Sequence, residues 1–214
     1  MNNLPRKSES GFTILEMLIA MTIIIVLMGA VSLLLSRALG VRSRESSRTD
    51  ALTSAQAALN VMSREIGNSG YGLADDSNID AVHNNGIVLA DSDSSKLRIR
   101  SNVVNTNTTT SDIGEDVTYY YDASAKSIVR HDPAQNPTTT YLVNRISSVA
   151  FEYYNYTGSS STPTITTTPT TDTSRVKISV VVNLEAVQGQ PNAQQIKLST
   201  EVTLRNSDYM ISQY

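Results

Sequence analysis

A run of apolar residues near the N-terminus constrains this chain more than any other feature. Phe12–Leu35 reads FTILEMLIAMTIIIVLMGAVSLLL, a stretch of 24 residues with one charged side chain, Glu16, and no proline. About 20 apolar residues suffice to cross the hydrocarbon core of a bilayer as a helix. The run therefore predicts a membrane-spanning helix.

The acid inside this run does not prevent insertion. Fourteen of the 24 residues are Phe, Ile, Leu or Val, and together they favour insertion by about 4–8 kcal/mol. A carboxylate at the bilayer centre costs about 2.5–3.5 kcal/mol, and less near the end of a span. The apolar term is the larger one, so we expect the segment to insert despite Glu16.

Glu16 nevertheless requires a partner in the membrane. The span has no Lys or Arg within a turn or two of it, so the acid either snorkels to the interface or pairs with another chain. The small residue Gly11 lies before the apolar run rather than after it, unlike the cleavage site of a secretory signal. Cleavage after Gly11 would create an α-amine on Phe12, on the same helical face as Glu16. In a stack of parallel helices, that amine could neutralise Glu16 of a neighbouring chain.

The junction GFTILEMLIA (Gly11–Ala20) resembles the class III leader of type IV prepilins and of type II secretion pseudopilins. The resemblance implies that a prepilin peptidase cleaves after Gly11 and methylates the amine of Phe12. It also implies that Glu16 pairs with a neighbouring N-terminus during assembly. The chain lacks the proline that many major pilins carry in this helix.

The same resemblance implies a single pass through the bacterial inner membrane with the head in the periplasm, followed by assembly into a pilus or pseudopilus. The distribution of cations favours the opposite orientation, because cytoplasmic flanks are usually richer in Lys and Arg. We give the specific junction more weight than this statistical rule. The cations before the span are Arg6 and Lys7, and those after it are Arg37, Arg42, Arg44 and Arg48.

The helix is predicted to continue past the membrane, because no proline occurs between Phe12 and Ile66. An apolar stripe with spacings of three and four follows the span, and it requires a surface to cover, most simply a sheet. A coiled coil is the alternative, although the stripe covers only about two heptads. Glycines from Gly67 onward predict the helix end. The stripe comprises Leu52, Ala55, Leu59, Met62 and Ile66.

Beyond the helix the hydrophobic period changes to two, which predicts six or seven half-buried antiparallel strands. A long helix on an antiparallel sheet is an α+β, pilin-like arrangement. The predicted strands are KLRIR, DVTYYYD, SIVRH, TYLVNRI, SSVAFEYY, RVKISVVVNL and IKLSTEVTLRN. The predicted organisation is a leader (1–11), a transmembrane part (12–35), a solvent-side amphipathic helix (36–66) and a β-rich head (67–214).

The polar segments of the head predict loops rather than sites. Thr157–Ser174 is a Ser/Thr/Pro tract expected to be a mobile loop, with O-glycosylation as the less favoured alternative, and Asn102–Asp116 is a second polar loop. Asp75–Asp80 and Asp91–Ser95 lack the glycine and distal glutamate of an EF-hand. His83 and His131 have no ligand spacing around them. We therefore predict no metal, no cofactor and no catalytic constellation.

Four downstream segments resemble the PilW-type minor pilins and the related GspJ-type pseudopilins: MSREIGNSGYG, VTYYYDASAKSIVRH, RISSVAFEYYN and the terminal VTLRN. The NSGYG segment favours the PilW type. The resemblance implies a structural subunit, not an enzyme, that helps to start or assemble the filament at or near its tip. The implied partners are the prepilin peptidase, the major pilin, other minor pilins and the inner-membrane assembly platform.

Three alternatives remain open from the sequence. A minor pseudopilin of a type II secretion system is the nearest one. A single-anchor membrane receptor, binding protein or enzyme belongs to another class and would require a pocket with convergent polar groups. A DNA-binding pilin is disfavoured, because residues after Ile66 include 10 Lys/Arg against 15 Asp/Glu and the whole chain carries a net charge of −3, which gives no basic footprint for phosphates.

Overall fold

A computed structural model describes residues 11–73, 84–104, 109–158, 160–184 and 194–213. The chain divides into two compact units, Met1–Ser46 and Ser47–Tyr214. Its elements are the helix α1 (Ile14–Gly67), a 3₁₀ turn (Leu89–Asp91), the strands β1 (Lys96–Arg100), β2 (Asp116–Asp122), β3 (Ser127–His131), β4 (Thr139–Val143), β5 (Ile146–Asn155), β6 (Thr164–Thr166), β7 (Thr173–Asn183) and β8 (Gln195–Thr203), and a short helix α2 (Asp208–Ile211).

In the first unit, α1 exposes apolar side chains around its whole circumference. Ile14, Ile24 and Leu34 are 84%, 55% and 66% exposed. The apolar window of this helix has none of its surface buried inside the protein. A helix that is apolar on all sides requires either a protein core or a membrane around it, and the described residues of this unit, from Gly11 onward, form no core.

In the second unit, two four-stranded antiparallel sheets surround one core. The first sheet has the order β1-β2-β3-β4 and the second has the order β6-β5-β7-β8. Alternate side chains of each strand point inward, as the period-two pattern predicted. On β7, for example, Val176, Ile178, Val180 and Val182 are all fully buried. The second sheet is the more extensive, because β7 pairs with β8 over nine consecutive residue pairs without a register shift.

The C-terminal part of α1 supplies one layer of this core. Ala55, Leu59, Met62 and Ile66 of the predicted stripe are buried in the same cluster as the inward residues of both sheets. Leu52 is only half-buried, and Ala51 takes its place in the core. The stripe therefore covers sheet residues, as predicted, and the α+β arrangement is confirmed.

Several predicted boundaries were wrong in detail. The helix begins at Ile14 rather than Phe12, and the described residues form eight strands in two sheets rather than six or seven strands in one. TYLVNRI is divided between β4 and β5, because Arg145 has a positive φ of 63° that interrupts the extended backbone. The Ser/Thr/Pro tract contains β6, which pairs with β5.

A pair of close backbone approaches explains the glycines after α1. Gly70 has φ +78°, and a Cβ added to it would lie 1.8 Å from the carbonyl oxygen of Asn84. Gly72 has φ +68°, and its added Cβ would lie 2.6 Å from the carbonyl oxygen of Asn102. Both positions require glycine, because L-residues seldom adopt this φ and no space remains for a side chain. The NSGYG segment thus fixes the chain as it leaves the helix.

A charged network ties the end of α1 to the first sheet. The guanidinium of Arg130 on β3 donates to the carboxylate of Glu65 on α1 at 3.0 Å, and the Tyr119 hydroxyl donates to the same carboxylate. Arg130 also donates to Asp132 at 3.2 Å and to Gln135 at 2.9 Å. Because each buried polar group has a partner, the network fixes the placement of α1 on the sheet.

Candidate N-terminal processing and assembly site

The predicted cleavage site lies in open space at the beginning of α1. Gly11 and Phe12 precede the helix, and Phe12 is 87% exposed. An added Cβ on Gly11 would meet no other atom within 4 Å. The peptide bond after Gly11 is therefore accessible in the uncleaved chain, and the fold itself imposes no packing requirement for glycine at this position. Residues 1–10 of the predicted leader, with Arg6 and Lys7, lie outside the described residues.

Glu16 has neutral partners on its own chain. Its Oε2 atom accepts hydrogen bonds from the backbone N–H of Thr13 at 2.9 Å and from the Thr13 hydroxyl at 3.0 Å. The backbone N–H of Glu16 in turn donates to the Thr13 hydroxyl at 3.3 Å. Thr13 precedes the first helical residue and Glu16 is the third, so the pair forms a capping box. A carboxylate in the first turn also interacts favourably with the helix dipole.

Thr13 was not predicted as a partner of Glu16, because only a cationic partner was considered. The signal was present, since Thr13-x-x-Glu16 before an apolar run is the pattern of a capping box. In the uncleaved chain α1 begins at Ile14, and the expectation that Phe12 and Glu16 share a helical face after cleavage stays a prediction. The carboxylate is therefore partly satisfied before any neighbouring chain arrives.

Acidic residues of the head are already engaged within the chain. Asp91 accepts a hydrogen bond from Arg98, and Asp93 accepts bonds from the backbone and hydroxyl of Ser95 at 2.6 and 2.7 Å. These Ser95 bonds lower the pKa of Asp93. Among the described residues no group of three or more metal-ligating side chains occurs. The other candidate cluster, Asp75–Asp80, and His83 lie outside the described residues.

The groove on the outer face of the first sheet is polar and open. It has a volume of about 370 Å³ and is lined by Lys96, Arg98, Asp116, Thr118, Tyr120, His131 and Pro133. Arg98 and Asp116 form a two-pronged pair at 2.8 and 2.7 Å. Burial would raise the pKa of Asp116, but Arg98 and Arg100 outweigh it and hold that pKa below its usual value. The groove thus contains a structural ion pair rather than convergent unpaired groups.

Comparison with known families finds a match at the N-terminal end of the chain. Residues 6–32 match the prokaryotic N-terminal methylation motif, and this segment contains Gly11, Phe12 and Glu16. No curated protein and no solved structure matches the chain significantly. The motif supports a type IV pilin-like or pseudopilin-like protein with a prepilin-type leader. Together with the exposed apolar helix, it supports anchoring in a membrane.

Proposed function

We propose that this chain is a minor pilin of a type IV pilus, a structural subunit that helps to start or assemble the filament at or near its tip. The observation that supports this proposal best is the methylation motif at residues 6–32, which overlaps the apolar window of α1, a window with no residue buried inside the protein. Such a helix requires lipid before assembly and neighbouring helices after it. The β-rich second unit would be the head that the anchored subunit presents.

The site residues have separate roles in this proposal. A prepilin peptidase cleaves after Gly11 and methylates the amine of Phe12, which becomes the N-terminus. Glu16 then pairs with the N-terminus of a neighbouring subunit. Its Oε2 atom accepts from Thr13, whereas its Oε1 atom accepts no hydrogen bond from the described residues and is available for that contact. The head is held in the periplasm before assembly, and the partners are the major pilin, other minor pilins and the inner-membrane assembly platform.

Processing is tested by sequencing the N-terminus of the mature protein. We expect an N-methylated Phe12. The bulkier Gly11→Ala variant should leave the leader attached, because a methyl group is added where the peptidase binds. Gly29→Ala is the matched control, since an added Cβ at Gly29 also meets nothing within 4 Å and lies well inside the helix. A mature protein that retains Met1 in cells with normal filaments would contradict the proposal.

The pairing role of Glu16 is tested by separating its charge from its hydrogen bonds. Glu16→Ala and Glu16→Val remove both, whereas Glu16→Gln removes the charge and keeps an oxygen that accepts from Thr13. All three should insert into the membrane, and all three should fail to enter filaments if the amine of a neighbour requires a carboxylate. Normal incorporation of Glu16→Gln with loss of Glu16→Ala would assign Glu16 to helix capping alone.

The nearest alternative, a minor pseudopilin of a type II secretion system, carries the same leader and the same helix. A deletion strain distinguishes the two, because loss of a minor pilin abolishes or reduces surface filaments, whereas loss of a pseudopilin stops protein export. A reporter fused to the C-terminus tests the orientation. We expect the reporter on the periplasmic side, opposite to the side that the cation distribution favours.

A further inference from the structure

The outer edge of the second sheet is a long strand with one side of its backbone unpaired. Leu204 N–H donates to the Ser174 carbonyl at 2.9 Å, and Leu184 N–H donates to the Gln194 carbonyl at 2.9 Å. These bonds flank the β7–β8 pairing and show that even-numbered residues of β8 bond to β7. In an antiparallel pair the intervening residues direct their N–H and C=O groups away from the partner. Lys197, Ser199 and Glu201 therefore direct theirs outward, and none of the described residues pairs with them.

The other sheet edges are short or covered. The edge of β1 is occupied by residues before it, since Arg100 N–H donates to the Gly86 carbonyl at 2.7 Å and Val88 N–H donates to the Arg98 carbonyl at 3.0 Å. The edge strands β4 and β6 have five and three residues. β8 has nine residues, and its register with β7 contains no bulge. Long, regular edges are uncommon in proteins that have no strand to add to them.

The inner side chains of β8 are incompletely covered. Ile196 and Leu198 lie opposite Val182 and Val180 of β7, which are fully buried, but they are themselves only half-buried. Leu198 packs against the edge of the core cluster. Val202, at the other end of β8, is buried in the core, so the incomplete burial is confined to the Ile196–Leu198 part of the strand. A further strand beside β8 would cover these two side chains and satisfy the outward backbone groups at the same time.

The outer side chains of β8 define the charge that such a strand should carry. Glu201 is already paired with Arg175 on β7 at 3.3 Å. Lys197 forms no direct ion pair among the described residues. Its charge acts only at longer range on Glu152, whose pKa is lowered mainly by Lys177 and further by Lys197. Opposite charges on directly facing residues of neighbouring strands stabilise the pair. An acidic residue facing Lys197 therefore fits this edge best.

We propose that β8 receives an extended segment of a partner protein as an added strand, with an acidic residue facing Lys197 and an apolar residue facing Ile196. Backbone hydrogen bonds to Lys197, Ser199 and Glu201 supply affinity and the alternating side chains supply specificity, as in other cases of strand addition. This docking edge belongs to the head and does not depend on the leader or on the proposed pilus role. Failure of leader processing would leave it unaffected.

The probe is a fluorescently labelled peptide, QIKLSTEVT, with the sequence of β8 itself. Paired antiparallel about Ser199, this peptide places its glutamate against Lys197, its lysine against Glu201 and its valine against Ile196. We expect saturable binding to the full-length protein in detergent micelles, measured by fluorescence anisotropy. Ser199→Pro should weaken it at least tenfold, because proline removes an outward N–H and leaves the bonds to β7 intact. Ser199→Ala is the matched control and should bind normally.

Charge reversal tests the facing pair. Lys197→Glu should weaken binding about two- to fivefold, the range of an exposed ion pair, and a peptide with lysine in place of its glutamate should restore it. Unchanged melting temperatures show that each variant is folded. Absence of saturable binding, or binding indifferent to Ser199→Pro, would overturn the proposal. Ser199→Cys tests for pairing between two copies, because the chain has no other cysteine. Reducible dimers of this variant in the native membrane would overturn the proposal in favour of such pairing.

Discussion

The two parts of α1 differ both in how many apolar residues they carry and in how those residues are arranged, and their surroundings differ accordingly. Ile24 in the first part is 55% exposed, whereas Met62 in the second part is fully buried. The first part is apolar around its whole circumference, and the second confines its fewer apolar residues to one stripe. The comparison shows that the number of apolar residues and their distribution around a helix together decide whether the helix needs lipid or a sheet.

The largest expected effect comes from placing the same charge in each part. Met62→Asp puts an unpaired carboxylate into the core, at a cost of more than about 4 kcal/mol. Because small domains are stable by about 5–15 kcal/mol in total, we expect loss of the cooperative unfolding transition of the head, measured by circular dichroism of the full-length protein in micelles.

Met28→Asp is the matched variant in the first part. Met28 is 68% exposed, so the melting temperature of the head should not change. The aspartate costs about 2.5–3.5 kcal/mol of insertion free energy, which, added to the cost of Glu16, removes most of the apolar gain. Membrane fractionation should show reduced insertion. Equal destabilisation of the head by both variants would contradict the division of α1 into two environments.

Two glycines of the head separate the cost of a close contact from the cost of a positive φ. Gly70→Ala, just after the buried part, combines a positive φ with a Cβ 1.8 Å from the Asn84 carbonyl oxygen. We expect a cost of more than about 3 kcal/mol in the free energy of unfolding. Gly158→Ala isolates the contribution of φ, because that residue has φ +60° with no atom within 4 Å of its added Cβ, and should cost about 1–2 kcal/mol. Chemical denaturation measures both.

The sequence could predict the features of this chain that depend on local pattern. The apolar run, the stripe ending at Ile66 and the inward row of β7 were all recognised because each is a repeat of one period. The division into two sheets could not be recognised, since it depends on the positive φ of Arg145 and on which strands meet in space. The β6 strand was not predicted, because a Thr-rich tract has the composition of a loop and becomes a strand here by pairing with β5.

The same distinction between local pattern and long-range contact applies to the functional and networked residues. Gly11, Phe12 and Glu16 could be selected from the sequence, because the leader junction is a contiguous motif. The network of Glu65, Tyr119 and Arg130 could not, since its members are separated by 54 and 65 residues along the chain. Long-range ion pairs depend on the register between a helix and a sheet, and no local period encodes that register.

Removing the Tyr119 hydroxyl from that network should lower the free energy of unfolding by a moderate amount that depends on pH. Burial, together with the nearby Glu65 carboxylate, raises the pKa of Tyr119 above its usual value. The folded state therefore keeps the phenol protonated at a pH of about 10, where the phenol of the unfolded chain begins to ionise. The stabilising contribution of the Tyr119 hydroxyl is present below that pH and is lost as the pH rises further. Tyr119→Phe should cost about 1.5–3 kcal/mol at neutral pH.

Measuring the free energy of unfolding at alkaline pH distinguishes this prediction from a simple loss of packing. Between about pH 9 and pH 11 the wild-type free energy of unfolding should fall more steeply than that of Tyr119→Phe. Tyr71→Phe is the control, because Tyr71 is 53% exposed and its hydroxyl forms none of the hydrogen bonds found among the described residues. Parallel pH profiles for wild type and Tyr119→Phe would contradict the role of the phenol in the network.

The smallest effect is expected at the beginning of α1, where the capping box is exposed. Thr13→Val removes the hydroxyl that donates to Glu16 and accepts from its backbone N–H, at a cost of about 0.5–2 kcal/mol in helix stability. Because this end has no tertiary contacts to spread the change, the loss should be confined to the first turn. Hydrogen exchange of the full-length protein in micelles should be faster at Leu15 and Glu16 and unchanged at Met62. Thr22→Val is the matched control, since the Thr22 hydroxyl bonds to the Ile19 carbonyl inside the helix and caps nothing. Faster exchange that extends to the buried part of α1 would show that the two parts are not independent.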